Sequence, residues 1–236
     1  MSQINDVDGP REAAAVRRAV DRLGQVALFR DLDGETLAHV AHLARPRPLA
    51  HSALLDEPRD STNSIYVLVR GRLRLYRRSE ADREATLLIL QAGDAFTFLA
   101  HAPDGRPMSE AMVLDHDALV YRFPKVALLH TLAAHPAAVL SLVDMAERIV
   151  AALCDLVAET VLYDVETRLA RLLVRLDAAA PGRPIKLTHQ ELAWRVETRR
   201  EEVTRLLRHF AHAKLIATRF HRHGIVVRDV AGLLQR

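Results

Sequence analysis

Arg199, Arg200, Glu201, Thr204, Arg205 and Arg208 recur at spacings that gather them at the start and along one side of a single helix. Arginine donates two parallel N–H groups to the O6 and N7 of guanine, and glutamate accepts from the cytosine amino group. Such side chains in the first turns of a helix suit the reading of base edges in a major groove. The same pattern also makes a solvated face whose charges only pair with one another. The elements that carry the row must decide between these readings.

Thr188-His-Gln-Glu191 and Thr198-Arg-Arg-Glu201 each set a threonine three residues before a glutamate, the pattern of a capping box. Two helices are therefore predicted to start ten residues apart, with Thr188 and Thr198 as N-caps. Leu187, Leu192, Ala193 and Val196 would face Val203, Leu206, Leu207 and Phe210, with small Ala193 at the closest approach. That is a helix-turn-helix. Beyond it, LIATRFHRHGIVVRD reads as strand, tight turn at His223-Gly224, and strand, a wing able to lay Arg219, His221 or Arg222 on a phosphate. The predicted DNA contacts are Thr188, Thr198, Arg199, Arg200, Glu201, Thr204, Arg205, Arg208 and Arg222.

Charge agrees with this placement. From Asp164 onward there are 15 Lys+Arg against 8 Asp+Glu, net +7, whereas residues 1–163 carry −4. A basic module joined to a near-neutral one is what binding a phosphate backbone needs. With 236 residues, 50% hydrophobic and 27% charged, the chain has material for two packed domains. Cys154 is the only cysteine, which excludes an internal disulfide and a four-cysteine iron–sulfur cluster. The longest uncharged stretch, Val126 to Val143, contains His130, His135 and Pro136, and no membrane span is expected. The N-terminus lacks the order of a secretory signal, so a cytoplasmic protein is expected. No nucleophile–base pairing, paired metal-ligating histidines or glycine-rich phosphate loop is present, and an enzyme is not expected.

The remaining elements must position that basic module. Residues 11–44 read as helical, with Asp33 as a cap. SIYVLVRGRLRLYRR alternates through Ile65, Val67 and Val69, then Leu73 and Leu75, and reads as a β-hairpin turning at Gly71. ATLLILQ, AFTFL and EAMVLDHDALVYRF add short strands, so residues 45–124 are predicted to form an antiparallel barrel or roll. A long helix begins near Pro136. Leu142, Ile149, Leu156 and Tyr163 recur every seven residues, with Val139, Ala146, Leu153 and Thr160 three earlier, as in a coiled-coil seam. Leu142, Ile149, Leu153, Leu156 and Tyr163 are the predicted homodimer interface; the alternative is a helix lying on its own domain's core. The predicted domains are a sensor at 1–135, a dimerisation helix at 136–163 and a DNA-binding domain at 164–236, with a hinge near Asp164.

With IYVLVRGRLRLY, LQAGDAF and LTHQELAWRVETRREEVTRLLRHFAHAKLI in this order, the chain resembles the cAMP receptor protein/fumarate-nitrate reductase regulator superfamily across about residues 25–232. The resemblance implies an α+β fold: an antiparallel jelly-roll-like β-roll of the cyclic-nucleotide-binding type, a long dimerisation helix and a C-terminal winged helix-turn-helix. It implies a homodimeric transcription regulator on a pseudo-palindromic DNA site, with RNA polymerase as an expected partner. Arg200, Glu201 and Arg205 fall at base-reading positions, and Thr204 where a small base-contacting residue stands. Glu197 departs from the pattern by replacing a turn glycine that needs positive φ.

Effector candidates are Phe96, Phe98, His101, Arg106 and Ser109. Cyclic-nucleotide binders carry Gly-Glu-Leu and an Arg-Ser or Arg-Thr pair; here Gly93 precedes Asp94-Ala95-Phe96, and Met108 precedes Ser109, which argues against cAMP. LLILQAGDAFTFLAH is similar to the CO-sensing branch, which offers His101 as a haem ligand in an alternative reading. A rival from another class is a small-molecule-binding protein whose C-terminal unit contacts protein rather than DNA.

Overall fold

A computed structural model of the chain describes residues 9–55, 63–98, 109–218 and 224–236. They form two compact units, Met1–Ala152 and Leu153–Arg236. The division falls inside the long helix, whereas the sequence reading placed its borders near residues 135 and 163.

The first unit opens with helices α1 (Gly9–Leu23) and α2 (Gly34–Leu43), separated by a 3-10 turn at Ala27–Phe29. The stretch expected to be helical over 11–44 is therefore interrupted after Gly24. Asp33 caps α2 by accepting from the Thr36 amide at 2.8 Å. Seven strands follow among the described residues: β1 (Arg45–Ala50), β2 (Ser64–Arg70), β3 (Leu73–Arg78), β4 (Glu84–Leu90), β5 (Ala95–Phe96), β6 (Glu110–Val113) and β7 (Asp117–Pro124). They pair antiparallel into a sheet of order β1-β7-β2-β5 and another of order β4-β3-β6.

The expected hairpin does not form. β2 pairs with β5 and β7, while β3 pairs with β4 and β6, so the chain crosses from one sheet to the other at Gly71. Gly71 has φ of +86°, and a Cβ there would lie 2.6 Å from the Asp117 carbonyl, a fit open only to glycine. Crossing rather than folding back lets both faces of β2 and β7 be buried. Ile65, Val67, Tyr121 and Phe123 pack into one core with α1, α2 and the helix α3 (Lys125–Ala133), which the sequence reading did not anticipate. Tyr66, Leu68 and Val120 turn the other way and close over Leu73, Leu75 and Ala111 inside the roll. On the opposite face of β3, Arg74 is 2% exposed; it bonds to Glu84 and Thr86 and stacks over Tyr76, whose hydroxyl donates to Glu110. A buried guanidinium is tolerated only when satisfied in this way.

Helix α4 (Pro136–Leu162) starts at the expected proline and continues into the second unit. That unit contains α5 (Val165–Ala179), α6 (His189–Arg195), α7 (Arg200–His212), β8 (Ile216–Thr218), β9 (Ile225–Val227) and α8 (Val230–Leu234). Leu169, Leu173, Leu192, Val203, Leu207 and Phe210 form its core. Asp164, read as a hinge, is the N-cap of α5 and accepts from the Thr167 amide at 2.8 Å. β8 and β9 pair antiparallel as the predicted wing, and Ile185 adds a bridge to Ile225. Arg219, His221, Arg222 and His223 lie outside the described residues.

Candidate nucleic-acid interface

The two-helix unit is built from its first cap outward. Thr188 accepts from the Glu191 amide at 3.1 Å, and Glu191 accepts from the Thr188 amide at 2.9 Å, so the predicted box is complete. Leu192 and Ala193 are fully buried against Val203 and Leu206. A side chain larger than alanine there would force the helices apart.

The turn differs from its prediction by one residue. Glu197 takes φ of +49°, the left-handed conformation the turn demands, at a cost of about 1 kcal/mol for a residue with a Cβ. The Thr198 amide then bonds back to the Ala193 carbonyl, which draws Thr198 into the turn. Arg199, not Thr198, is the N-cap of α7, with no side-chain cap hydrogen bond, so the second capping box does not form. A helix start without its own acceptor suits a phosphate oxygen.

Along α7 the apolar side is buried, while Arg199, Arg200, Glu201, Arg205 and Arg208 are exposed. The side chains of Arg199, Arg200, Glu201 and Arg208 make no hydrogen bond or ion pair among the described residues. Arg205 is held by Glu202, which accepts from Nε at 3.0 Å and from Nη2 at 2.6 Å. Each partner stabilises the other's charge: the bond to Arg205 lowers the Glu202 pKa, and the bond to Glu202 raises that of Arg205.

Thr204 is half-buried and doubly engaged. Its hydroxyl donates to the Arg200 carbonyl at 2.9 Å, and His189 Nδ1 lies 2.8 Å from the same oxygen. With the only hydroxyl proton committed, Thr204 accepts, so Nδ1 carries the imidazole hydrogen and Nε2 is left free. Burial, then the nearby Arg200 and Arg208, lower the His189 pKa and favour the neutral ring. Sequence reasoning missed both His189 and Glu202. The three-residue step from Glu202 to Arg205 was the available signal for the second; nothing local signalled the first.

Arg168 ties this unit to the end of α4. Its Nη1 donates to the Tyr163 carbonyl at 3.0 Å and its Nε to the Val196 carbonyl in the turn at 3.2 Å. Tyr163, expected in a dimer interface, lies under the Arg171 guanidinium of its own chain at 4.4 Å. Leu142 and Ile149, also expected there, are partly buried and pack against the core of their own unit. Leu153 and Leu156 are half-buried. The uncovered side of α4 carries Leu140, Val143, Val150, Val157 and Val161, with Glu147 and Cys154 also exposed between them. These positions alternate steps of three and four and form a heptad register offset from the predicted one.

Of the effector candidates, Phe96 and Phe98 are buried beside Tyr66 in the roll, with ring centroids 5.3–5.8 Å apart. Ser109 is 1% exposed and its hydroxyl has no hydrogen-bond partner among the described residues. His101 and Arg106 lie outside the described residues. No group of three or more potential metal ligands occurs among the described residues.

Comparison with known proteins follows the same division. Residues 46–135 match the cyclic nucleotide-binding domain, and residues 167–236 match the Crp-like helix-turn-helix domain. A CRP-like cAMP-activated global transcriptional regulator of Mycobacterium tuberculosis is 25% identical over 224 residues, spanning 91% of this chain and 97% of its own. The cyclic AMP receptor protein of Thermus thermophilus is 27% identical over 168 residues, 66% of this chain and 72% of its own. A CooA variant from Carboxydothermus hydrogenoformans has the same fold, with a TM-score of 0.72 at 21% identity over 92% of this chain and 98% of that one. The roll at one end and the helix pair with its wing at the other thus each match a family pattern of their own, and the order of elements is that of the CooA fold. The chain belongs to the CRP/FNR family of DNA-binding transcription regulators and is not an enzyme.

Proposed function

We propose that the protein works as a homodimer, paired along the exposed side of α4, that sets two α7 helices into successive major grooves of a pseudo-palindromic site. The observation that carries this reading is the exposed row Arg199, Arg200, Glu201, Arg205 and Arg208 on the second helix of a pair whose other side is core. Those groups are placed for base edges and phosphates, with the wing arginines adding backbone contacts. RNA polymerase is the further partner such a regulator addresses.

The effector is a small molecule, and the residues argue against cAMP. Phe98 is 5% exposed and packs on Tyr66 and Phe96, so the described roll interior presents apolar rings rather than a carboxylate for a ribose. Ser109, unpaired among the described residues, is a polar group available to a ligand, since an unpaired buried hydroxyl costs about 1–3 kcal/mol. The haem alternative takes His101 as its ligand. A Soret band lost on His101→Ala would support it.

Binding to sites selected from random DNA, followed through a salt titration, tests the main reading. Affinity should fall about a thousandfold between 50 and 200 mM salt, as counterion release requires. A selection that enriches no sequence, or an affinity indifferent to salt, would favour a C-terminal unit that contacts protein.

A further inference from the structure

We infer that Glu202 is a positioning residue for base readout: it grips one edge of the Arg205 guanidinium and leaves the opposite edge set for a guanine. The inference rests on the DNA-binding reading above and names a residue that acts within it. A guanidinium has two edges that each present parallel N–H groups, one formed by Nε and Nη2 and the other by Nη1 and Nη2. Glu202 takes the first edge with both carboxylate oxygens, at 3.0 and 2.6 Å. Nη1 has no partner among the described residues, so the second edge remains for guanine O6 and N7.

An exposed i,i+3 ion pair can be merely a helix-stabilising contact. Its place argues for more. Of the five exposed charged side chains at the N-cap and along α7, Arg205 is the one another side chain holds, and the family resemblance puts it at a base-reading position. A free arginine loses rotamer freedom when it docks; one already clamped has lost it beforehand, which favours the specific complex. The carboxylate meanwhile repels phosphates on every sequence alike. Glu202 therefore weakens random binding and sharpens choice, so its two effects have opposite signs and can be separated.

The test uses the full-length protein and its Glu202→Ala, Glu202→Gln and Arg205→Ala variants. Each is titrated on the selected site, on the site with its best guanine pair exchanged, and on random DNA. Glu202→Ala should bind random DNA about twofold more tightly yet discriminate the guanine pair at least about fivefold less well. Glu202→Gln should show the same random-DNA gain with a smaller loss, because its amide oxygen still accepts one bond. In an Arg205→Ala background, Glu202→Ala should change discrimination no further. Equal shifts on specific and random DNA, or additive losses in the double variant, would overturn the proposal. If Arg205→Ala leaves the guanine preference intact, Arg205 is not the reader and the inference falls while the DNA-binding reading stands. If the wild type prefers no sequence, both fall.

Discussion

Thr204 shows how a residue of the right type can serve a different purpose from the one its type suggests. Its hydroxyl is satisfied twice, by the Arg200 carbonyl and by His189, so what it can offer a base is its methyl group, which fits the thymine C5-methyl. Thr204→Val should therefore retain specific affinity within about threefold in a gel shift, while losing its link to His189. His189 itself should make binding pH-dependent. Burial, Arg200 and Arg208 keep it neutral in the free protein, but DNA phosphates neutralise those arginines and favour the imidazolium. A group whose pKa rises on binding takes up a proton, so affinity should increase as pH falls from 7.5 towards 6. His189→Gln should flatten that profile at constant salt; a wild-type profile already flat would refute the assignment. None of this was legible from spacing, because Thr204 and His189 meet across two helices.

At the scale of elements, the sequence was most informative where local chemistry and burial agree. The Thr188 box, the apolar faces of α6 and α7 and the wing strands were all anticipated, since caps and periodicity are local signals. Two readings shifted for reasons that residue spacing does not carry. Alternation in β2 and β3 identified strands but not their partners, and only the approach of Gly71 to Asp117 shows the chain changing sheets. The Thr198 box was preempted by the left-handed turn at Glu197. Helix α4 is apolar on two sides, and the unit-1 core takes one of them through Leu142 and Ile149. Cys154, exposed on the other, would report on the proposed seam. In a parallel, in-register pair its Cα atoms would approach the 4.4–6.8 Å that a disulfide needs. Mild oxidation should give a cross-linked dimer on a non-reducing gel. A dimer in sedimentation that never cross-links would indicate another register.

For the whole molecule, the proposed dimer would couple assembly to recognition through α4. Val150 and Val157 are 59% and 62% exposed, so replacing both with arginine should leave the melting temperature of the isolated chain nearly unchanged. The same change should abolish the dimer in sedimentation and reduce operator affinity to that of a half-site. Loss of thermal stability without loss of the dimer would place the interface elsewhere.

The stripe on α4 is modest as a coiled-coil seam, since Glu147 interrupts it and valines supply most of its apolar surface. Two facing carboxylates would repel, so subunits would separate at low abundance. In that regime promoter occupancy would climb with the square of the number of chains per cell. A doubling of expression would then give about a fourfold rise in regulated output by mass action, a steep dosage response arising from one acidic residue in a helix.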